Sequence, residues 1–126
     1  MEKRVISTSN APQAIGPYSQ AIASDGLVFC SGQVGLDPSS GELVSDDVAN
    51  QTRQAMRNLE AVLVSAGAGF GDVVKVTAYL TDLGDFGTFN DVYGEFFKDE
   101  PPARATVGIA ALPKGAKVEV ECVARI

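Results

Sequence analysis

Apolar residues along the 126-residue chain change their period several times, and each change predicts a different element. Residues 3–7, around Val5 and Ile6, read as a short strand followed by a Pro- and Gly-containing loop over 10–17. Residues 18–23 and 27–33 read as two strands joined at Ser24-Asp25-Gly26, where Asp-Gly signals a tight hairpin. A second turn falls at 37–41. From 47 to 66 the period becomes helical, with Val48, Met56, Leu59, Val62 and Leu63 on one face and Ala55 between them. Ser45 is the expected N-cap, Asp46 and Asp47 sit where the helix dipole favours negative charge, and Gly67 closes the other end. Residues 73–80 are β-branched and apolar on both faces, which predicts a central strand covered on each side. Residues 85–98 return to the helical period through Phe86, Phe89, Tyr93, Phe96 and Phe97, an aromatic stripe whose default meaning is core packing. Two final strands, 103–109 and 117–125, flank Leu112-Pro113-Lys114-Gly115.

The order β-β-β-α-β-α-β-β describes an α+β domain spanning 1–126, a mixed sheet with two helices on one face. A chain of this length buries roughly two thirds of the surface its unfolded form exposes. Strands apolar on both sides then leave one sheet face to be covered by another copy, so a closed homo-oligomer is expected.

Composition narrows the chemistry more than the fold. Histidine is absent, which excludes Ser-His-Asp triads, Cys-His pairs and imidazole bases and leaves any acid–base work to Asp, Glu, Tyr, Lys or Cys. Ten basic against sixteen acidic residues give a net charge of −6, and no basic patch stands out, so neither nucleic acid nor an anionic membrane is an expected partner. Cys30 and Cys122 lie in apolar strand-like runs without Cys-x-x-Cys spacing, as buried free thiols of a reducing compartment would. No stretch is long and apolar enough for a membrane helix, and the N-terminus lacks a signal-peptide core; a soluble, cytoplasmic protein is expected.

Within that frame one arginine stands out. Pro101-Pro102, with fixed φ and no N–H, delivers Arg104 into an extended run that reads as a buried strand with small neighbours, Ala103 and Ala105. Alternation groups Arg104 with Thr106, and Lys117 with Glu119 and Glu121. The guanidinium fork matches a carboxylate bidentately, so a small carboxylate ligand suits it, and a cation and an acid could share one site. The same alternation also describes an ordinary sheet with one wet face. Ser31-Gly32-Gln33 ends an apolar strand with groups that would let a ligand approach the backbone; Tyr18 stands at the mouth of a strand; Asn90 lies on the second helix. Singly, none of these is diagnostic.

Together, Ile15-Gly16-Pro17-Tyr18-Ser19-Gln20-Ala21, Ser31-Gly32-Gln33, Asn90 with Tyr93, Pro102-Ala103-Arg104, Leu112-Pro113 and Val118-Glu119-Val120-Glu121 closely resemble the reactive intermediate deaminase A family (RidA, also YjgF/YER057c/UK114), over essentially the whole chain. The resemblance implies a chorismate-mutase-like fold and a homotrimer with a central barrel and active sites between subunits. It implies hydrolysis of 2-imino acids and their enamine tautomers, such as 2-aminoacrylate and 2-iminobutanoate, to 2-keto acids and ammonia, clearing intermediates released by pyridoxal-phosphate dehydratases. No metal or organic cofactor is implied. By the same resemblance Arg104 clamps the substrate carboxylate, Glu119 positions the attacking water, and Tyr18, Ser31, Gly32, Asn90 and Thr106 line the pocket. Family members often carry cysteine where this chain has Thr106, which removes a thiol nucleophile without impeding hydrolysis. Endoribonuclease action and a non-catalytic, small-carboxylate-binding or chaperone-like trimer are the alternatives.

Overall fold

In the computed structural model, which describes residues 2–126, the Asp25-Gly26 hairpin is built from two consecutive left-handed residues, φ 60° and 78°, as a type I′ turn requires. It joins β2 (Ala21–Ser24) to β3 (Leu27–Val34), and β1 (Arg4–Ile6) adds antiparallel to β2. Helix α1 (Val48–Ser65) then crosses to β4 (Val73–Leu80), helix α2 (Phe86–Tyr93) to β5 (Ala103–Gly108), and β6 (Val118–Arg125) closes the chain. The six strands lie in the order β1-β2-β3-β6-β4-β5. Strand β6 inserts antiparallel between β3 and β4, while β4 and β5 run parallel, so the sheet is mixed.

Both helices cover one face. Met56, Leu59, Val62 and Leu63 of α1 are fully buried against Val28, Val76, Val118 and Val120, and Phe89 and Tyr93 of α2 join the same core. Each such side chain stabilises the fold by about 2 kcal/mol through the area it removes from water. Strand β6 reports the layering directly: Val118, Val120, Cys122 and Ala124 are buried under the helices, whereas Glu119, Glu121 and Val123 are half-buried on the uncovered face. Cys30 and Cys122 are cross-strand partners under α1, both buried and free, in keeping with the thiol reading.

Two buried amides of α1 fix the strand ends that matter most. Asn58 donates through Nδ2 to the carbonyls of Val34 and Leu36, at 3.1 and 2.9 Å. Gln51 donates through Nε2 to the Ser45 carbonyl and accepts from the Lys117 N–H, each at 2.8 Å. The helix also approaches the chain at Gly35 so closely that a Cβ there would lie 2.7 Å from the Gln51 Cα. The exit of β3 and the entry to β6 are thereby tied to one rigid element.

Several expectations change. The N-cap is Asp47, whose carboxylate accepts the Asn50 N–H at 3.1 Å; Ser45 instead accepts the Asp47 N–H, two residues too early to cap. The strand expected from residue 18 starts at Ala21, because Tyr18 is held in the preceding turn by its N–H bond to the Gly16 carbonyl. The second helix stops at Tyr93, where Gly94 and the bonds of Glu95 and Phe96 to carbonyls three residues back end the α-period; Phe96 and Phe97 still pack, edge-on to Phe70. Strand β4 is central as expected, but its second face carries Thr77 and Tyr79, half-buried, with Val74 exposed. Strand β5 is not buried: it pairs only with β4 and forms the sheet edge.

The cap assignment has a direct test. Asp47→Ala should lower unfolding free energy by about 1 kcal/mol in a urea titration, whereas Ser45→Ala should stay within about 0.5 kcal/mol of the parent.

Candidate active site

The alternation that buries Val118 and Val120 decides where every candidate side chain points. Arg104 stands beside Val76, which in turn pairs with Cys122, and Thr106 stands beside Ala78, which pairs with Val120; all of these face the helices. Glu119 pairs with Tyr79 and Glu121 with Thr77, on the uncovered face. Arg104 and Glu119 are therefore on opposite faces of one sheet, so within one chain the cation and the acid do not meet. Period-two geometry forces this, since residues 104 and 119 fall in opposite phases of their strands.

Two separate half-sites result. The first lies at the seam of α2 and β5. The Arg104 Cζ sits 4.7 Å from the Tyr93 ring centroid, 5.5 Å from that of Phe89 and 5.6 Å from that of Phe86. Three aromatic faces thus hold the guanidinium by cation–π attraction. The helical stripe that reads from sequence as core packing is also a cage for the arginine. Beside it, Asn90 Oδ1, Tyr93 Oη and Thr106 Oγ1 are buried without a hydrogen-bond partner, and among the described residues they are the side-chain atoms in that condition. A buried polar atom left unpaired costs about 1–3 kcal/mol, so this seam carries a local cost that the α1 seam does not. Asn90 and Thr106 are both sequence candidates; Tyr93 enters the sequence reading only in the aromatic stripe and beside Asn90 in the family-like residues, with no site role.

The second half-site is a cavity of about 400 Å³ on the far side of the sheet, where Tyr18, Gly32 and Glu119 meet against an apolar wall that includes Ile15, Val34 and Leu36. Tyr18 is half-exposed, and its hydroxyl accepts the Ile15 N–H at 3.2 Å, which steadies the ring at the mouth. Gly32 leaves room for the acid in its present position: a Cβ there would lie 2.6 Å from the Glu119 Cδ. Ser31 lines a neighbouring hollow with Tyr18 and Glu121, and its hydroxyl donates to the Ser19 carbonyl at 2.5 Å. Tyr79 donates its hydroxyl to Glu121, a bond that, with burial and the two nearby carboxylates, pushes Tyr79 up to about 12. Burial first, and the Glu121 charge second, raise Glu119 above the ordinary value of 4.5. A carboxyl with a raised pKa at the wall of a cavity is suited to hold water and pass a proton.

Comparison with known proteins gives one consistent answer. Residues 8–126 match a family described as endoribonuclease L-PSP. The chain is similar to human 2-iminobutanoate/2-iminopropanoate deaminase, 52% identical over 122 residues that cover 97% of this chain and 89% of that protein. Among solved structures it resembles RidA from the Antarctic bacterium Psychrobacter sp. PAMC 21119, with a TM-score of 0.94 and 42% identity over 98% of this chain and 99% of that one. It also resembles E. coli TdcF crystallised with bound serine, with a TM-score of 0.93 and 42% identity over 98% of both chains.

The contact of Gly32 with Glu119 yields a measurement that needs no substrate. In Gly32→Ala the flexible carboxylate swings aside, so stability should change by no more than about 1 kcal/mol. The Glu119 carboxyl then moves into water, and its carbon-13 titration midpoint should fall toward the ordinary glutamate value; an unmoved midpoint would show that the glycine does not set the environment of the acid.

Proposed function

The chain belongs to the endoribonuclease L-PSP family, the YjgF/RidA proteins, and on that footing we propose that it is a 2-iminobutanoate/2-iminopropanoate deaminase, an enzyme that hydrolyses reactive imine and enamine intermediates to 2-keto acids and ammonia. The observation that carries the reading is the pair of complementary half-sites. One offers a caged cation for a carboxylate, and the other a carboxyl poised over a cavity.

Because the two lie on opposite faces of a sheet, the working site joins two copies of the chain: Arg104, Asn90 and Thr106 from one protomer, Tyr18, Ser31, Gly32 and Glu119 from its neighbour. A homotrimer with the uncovered sheet faces lining a central barrel, in the chorismate-mutase-like manner, is the assembly we propose. Exposed Val5, Phe29 and Val107 on that face support it, since their burial against another copy would add to stability. Residues 1–126 act as one such domain, in the cytoplasm; among the described residues no helix is long and apolar enough to cross a membrane.

In the proposed reaction Arg104 grips the substrate carboxylate, which fixes C2 of the protonated imine over the neighbouring Glu119. Water bonded to that carboxylate attacks C2; the new C–O bond forms as the C=N bond becomes single, and Glu119 takes the water proton. The carbinolamine nitrogen recovers a proton from Glu119, the C–N bond breaks, and ammonia leaves as the hydroxyl proton departs to give the keto acid. Thr106 contributes a hydroxyl beside the arginine in place of a thiol, so the attacking group is water throughout. RNA cleavage, the activity in the family's description, has less support here: the chain carries ten basic against sixteen acidic residues and no histidine.

The test is imine hydrolysis in a coupled assay, with an amino-acid oxidase or threonine dehydratase generating the imine in place. Arg104→Ala should lower kcat/KM on the order of 100-fold, as expected for losing a charge-assisted bidentate contact worth about 3 kcal/mol. A rate equal to that of buffer in the parent protein would overturn the enzyme reading.

The pH profile tests Glu119 separately. Once a substrate carboxylate neutralises Arg104, burial and Glu121 dominate, so kcat should rise along an acid limb centred above 4.5. Folding has the opposite sign: a pKa raised in the fold favours the protonated state, so this contribution to stability is full at low pH and lost as pH rises through the folded value. Glu119→Gln should therefore abolish the limb and most of the turnover while leaving stability at neutral pH equal or higher.

A further inference from the structure

We propose that Gln33 is a specificity-determining residue of the cavity that holds Glu119, its amide receiving a hydroxyl at the tip of a substrate's apolar arm. The inference rests on the deaminase reading and concerns the part of the substrate that does not react. Four amide side chains are buried among the described residues; those of Gln20, Gln51 and Asn58 are hydrogen-bonded within the chain, and that of Gln33 is not. Gln33 is 6% exposed, and what remains open of it lines the cavity of about 400 Å³. Gln20 is the internal comparison, because it lines the same cavity at 5% exposure. Its Nε2 donates to the Thr8 and Pro12 carbonyls at 3.1 and 2.8 Å, and its Oε1 accepts the Thr8 N–H at 2.7 Å. One glutamine of the wall is fully engaged by the fold, and the other is left free.

A bulge in β3 puts the free amide there. Between Cys30 and Gln33 that strand advances three residues while β6 advances two, from Cys122 to Val120, so one extra residue is accommodated at Ser31-Gly32. In an unbroken strand Gln33 would share the phase of Phe29 and Ser31 on the uncovered face. The bulge sets it opposite fully buried Val120 instead, one residue before Val34, which pairs with Glu119. Burying an amide without a partner costs free energy, and an amide that borders a cavity recovers that cost when a ligand arrives. The rest of the lining selects the ligand. Pro12, Ile15, Val34, Leu36 and Pro113 make an apolar wall, and at about 30 Å³ per water the cavity holds roughly a dozen, more room than a three- or four-carbon acid fills. A hydroxyl both donates and accepts, as the amide does, so the two satisfy each other without a charge. A charged tip would be desolvated against a neutral group, since the cation of the lining, Lys114, stands exposed. The substrate class selected is an imino acid whose side chain is an apolar stem, such as a ring, ending in a hydroxyl.

The imines of tyrosine and phenylalanine differ by one such hydroxyl, and an amino-acid oxidase generates both in place. After correction for hydrolysis in buffer, the parent should show a kcat/KM about tenfold higher for the tyrosine imine. In Gln33→Met, which keeps the side-chain length without the amide, that ratio should fall to one or below. The unfolding temperature of the ligand-free variant should be unchanged or higher, because an unpartnered amide adds nothing to the fold. Nuclear magnetic resonance reads the same contact without a variant: the Gln33 side-chain amide protons of the parent should shift further with 4-hydroxyphenylpyruvate than with phenylpyruvate. A ratio near one in the parent, a ratio that survives Gln33→Met, or amide protons that respond alike to both acids overturns the role of Gln33 alone. A parent that hydrolyses 2-iminobutanoate but neither aromatic imine does the same. A parent that hydrolyses none of the three overturns this inference together with the deaminase reading.

Discussion

In a sheet covered by helices on one side only, side-chain alternation sorts every functional group into one of two compartments. Arg104 and Thr106 fall in phase with Val76 and Ala78 and face the helices; Glu119 and Glu121 fall in phase with Tyr79 and Thr77 and do not. No rotamer change carries a side chain through a hydrogen-bonded sheet, so the separation is permanent within one chain. The cation gains a ring of aromatic faces because it shares the helix layer, and the acid gains a cavity because its own layer is open. Each environment suits its group. An arginine tolerates partial burial against rings that supply cation–π attraction, whereas a carboxyl under partial burial answers by shifting its pKa upward.

The stabilising and destabilising contributions are also segregated. The seam of α1 with β3, β6 and β4 is almost wholly apolar, and the two buried amides that α1 contributes, Gln51 and Asn58, have their partners. Three of those bonds end on Val34 and Leu36, which follow Gly32, and on Lys117, which precedes Glu119; the fourth ends on Ser45. Rigid α1 therefore helps set the position of an acid that lies outside the core. The unsatisfied atoms gather instead at α2 and β5, a short helix and an edge strand, where the fold can carry a local cost without losing its main core.

Much of this was legible before any coordinates. The hairpin at Asp25-Gly26, the long amphipathic helix, the central strand and the element order follow from periods and turn residues whose physics is local. The alternation on β6 was legible too, and with it the grouping of Glu119 with Glu121. The relation between strands was not. Placing β5 at the edge, and Arg104 opposite in phase to Glu119, depends on the parallel β4–β5 register, which involves residues far apart in sequence. The dual use of the aromatic stripe was hidden for the same reason: Phe86, Phe89 and Tyr93 show the same helical spacing whether they meet an aliphatic core or a guanidinium. Resemblance to a family supplied Asn90 and Thr106, and a side-chain oxygen of each is buried without a partner at the seam of α2 and β5. The cap moved from Ser45 to Asp47 because either residue type serves and only backbone geometry chooses between them.

The proposed association between copies answers three local deficits with one surface. Strand β5 presents an unpaired edge, a feature that isolated proteins commonly protect with charge, bulges or a covering element. The uncovered face exposes Val5, Phe29 and Val107 around half-buried carboxylates, an arrangement poorly suited to bulk water yet too charged for a helix to cover. Each half-site lacks the group that the other holds. A neighbour placed along the β5 edge, offering its own cavity to the arginine, would address all three. Arg104 at an edge is then the arrangement a shared site needs, since a central strand would enclose the guanidinium among its own neighbours and leave no route for another chain's carboxyl to reach the bound substrate.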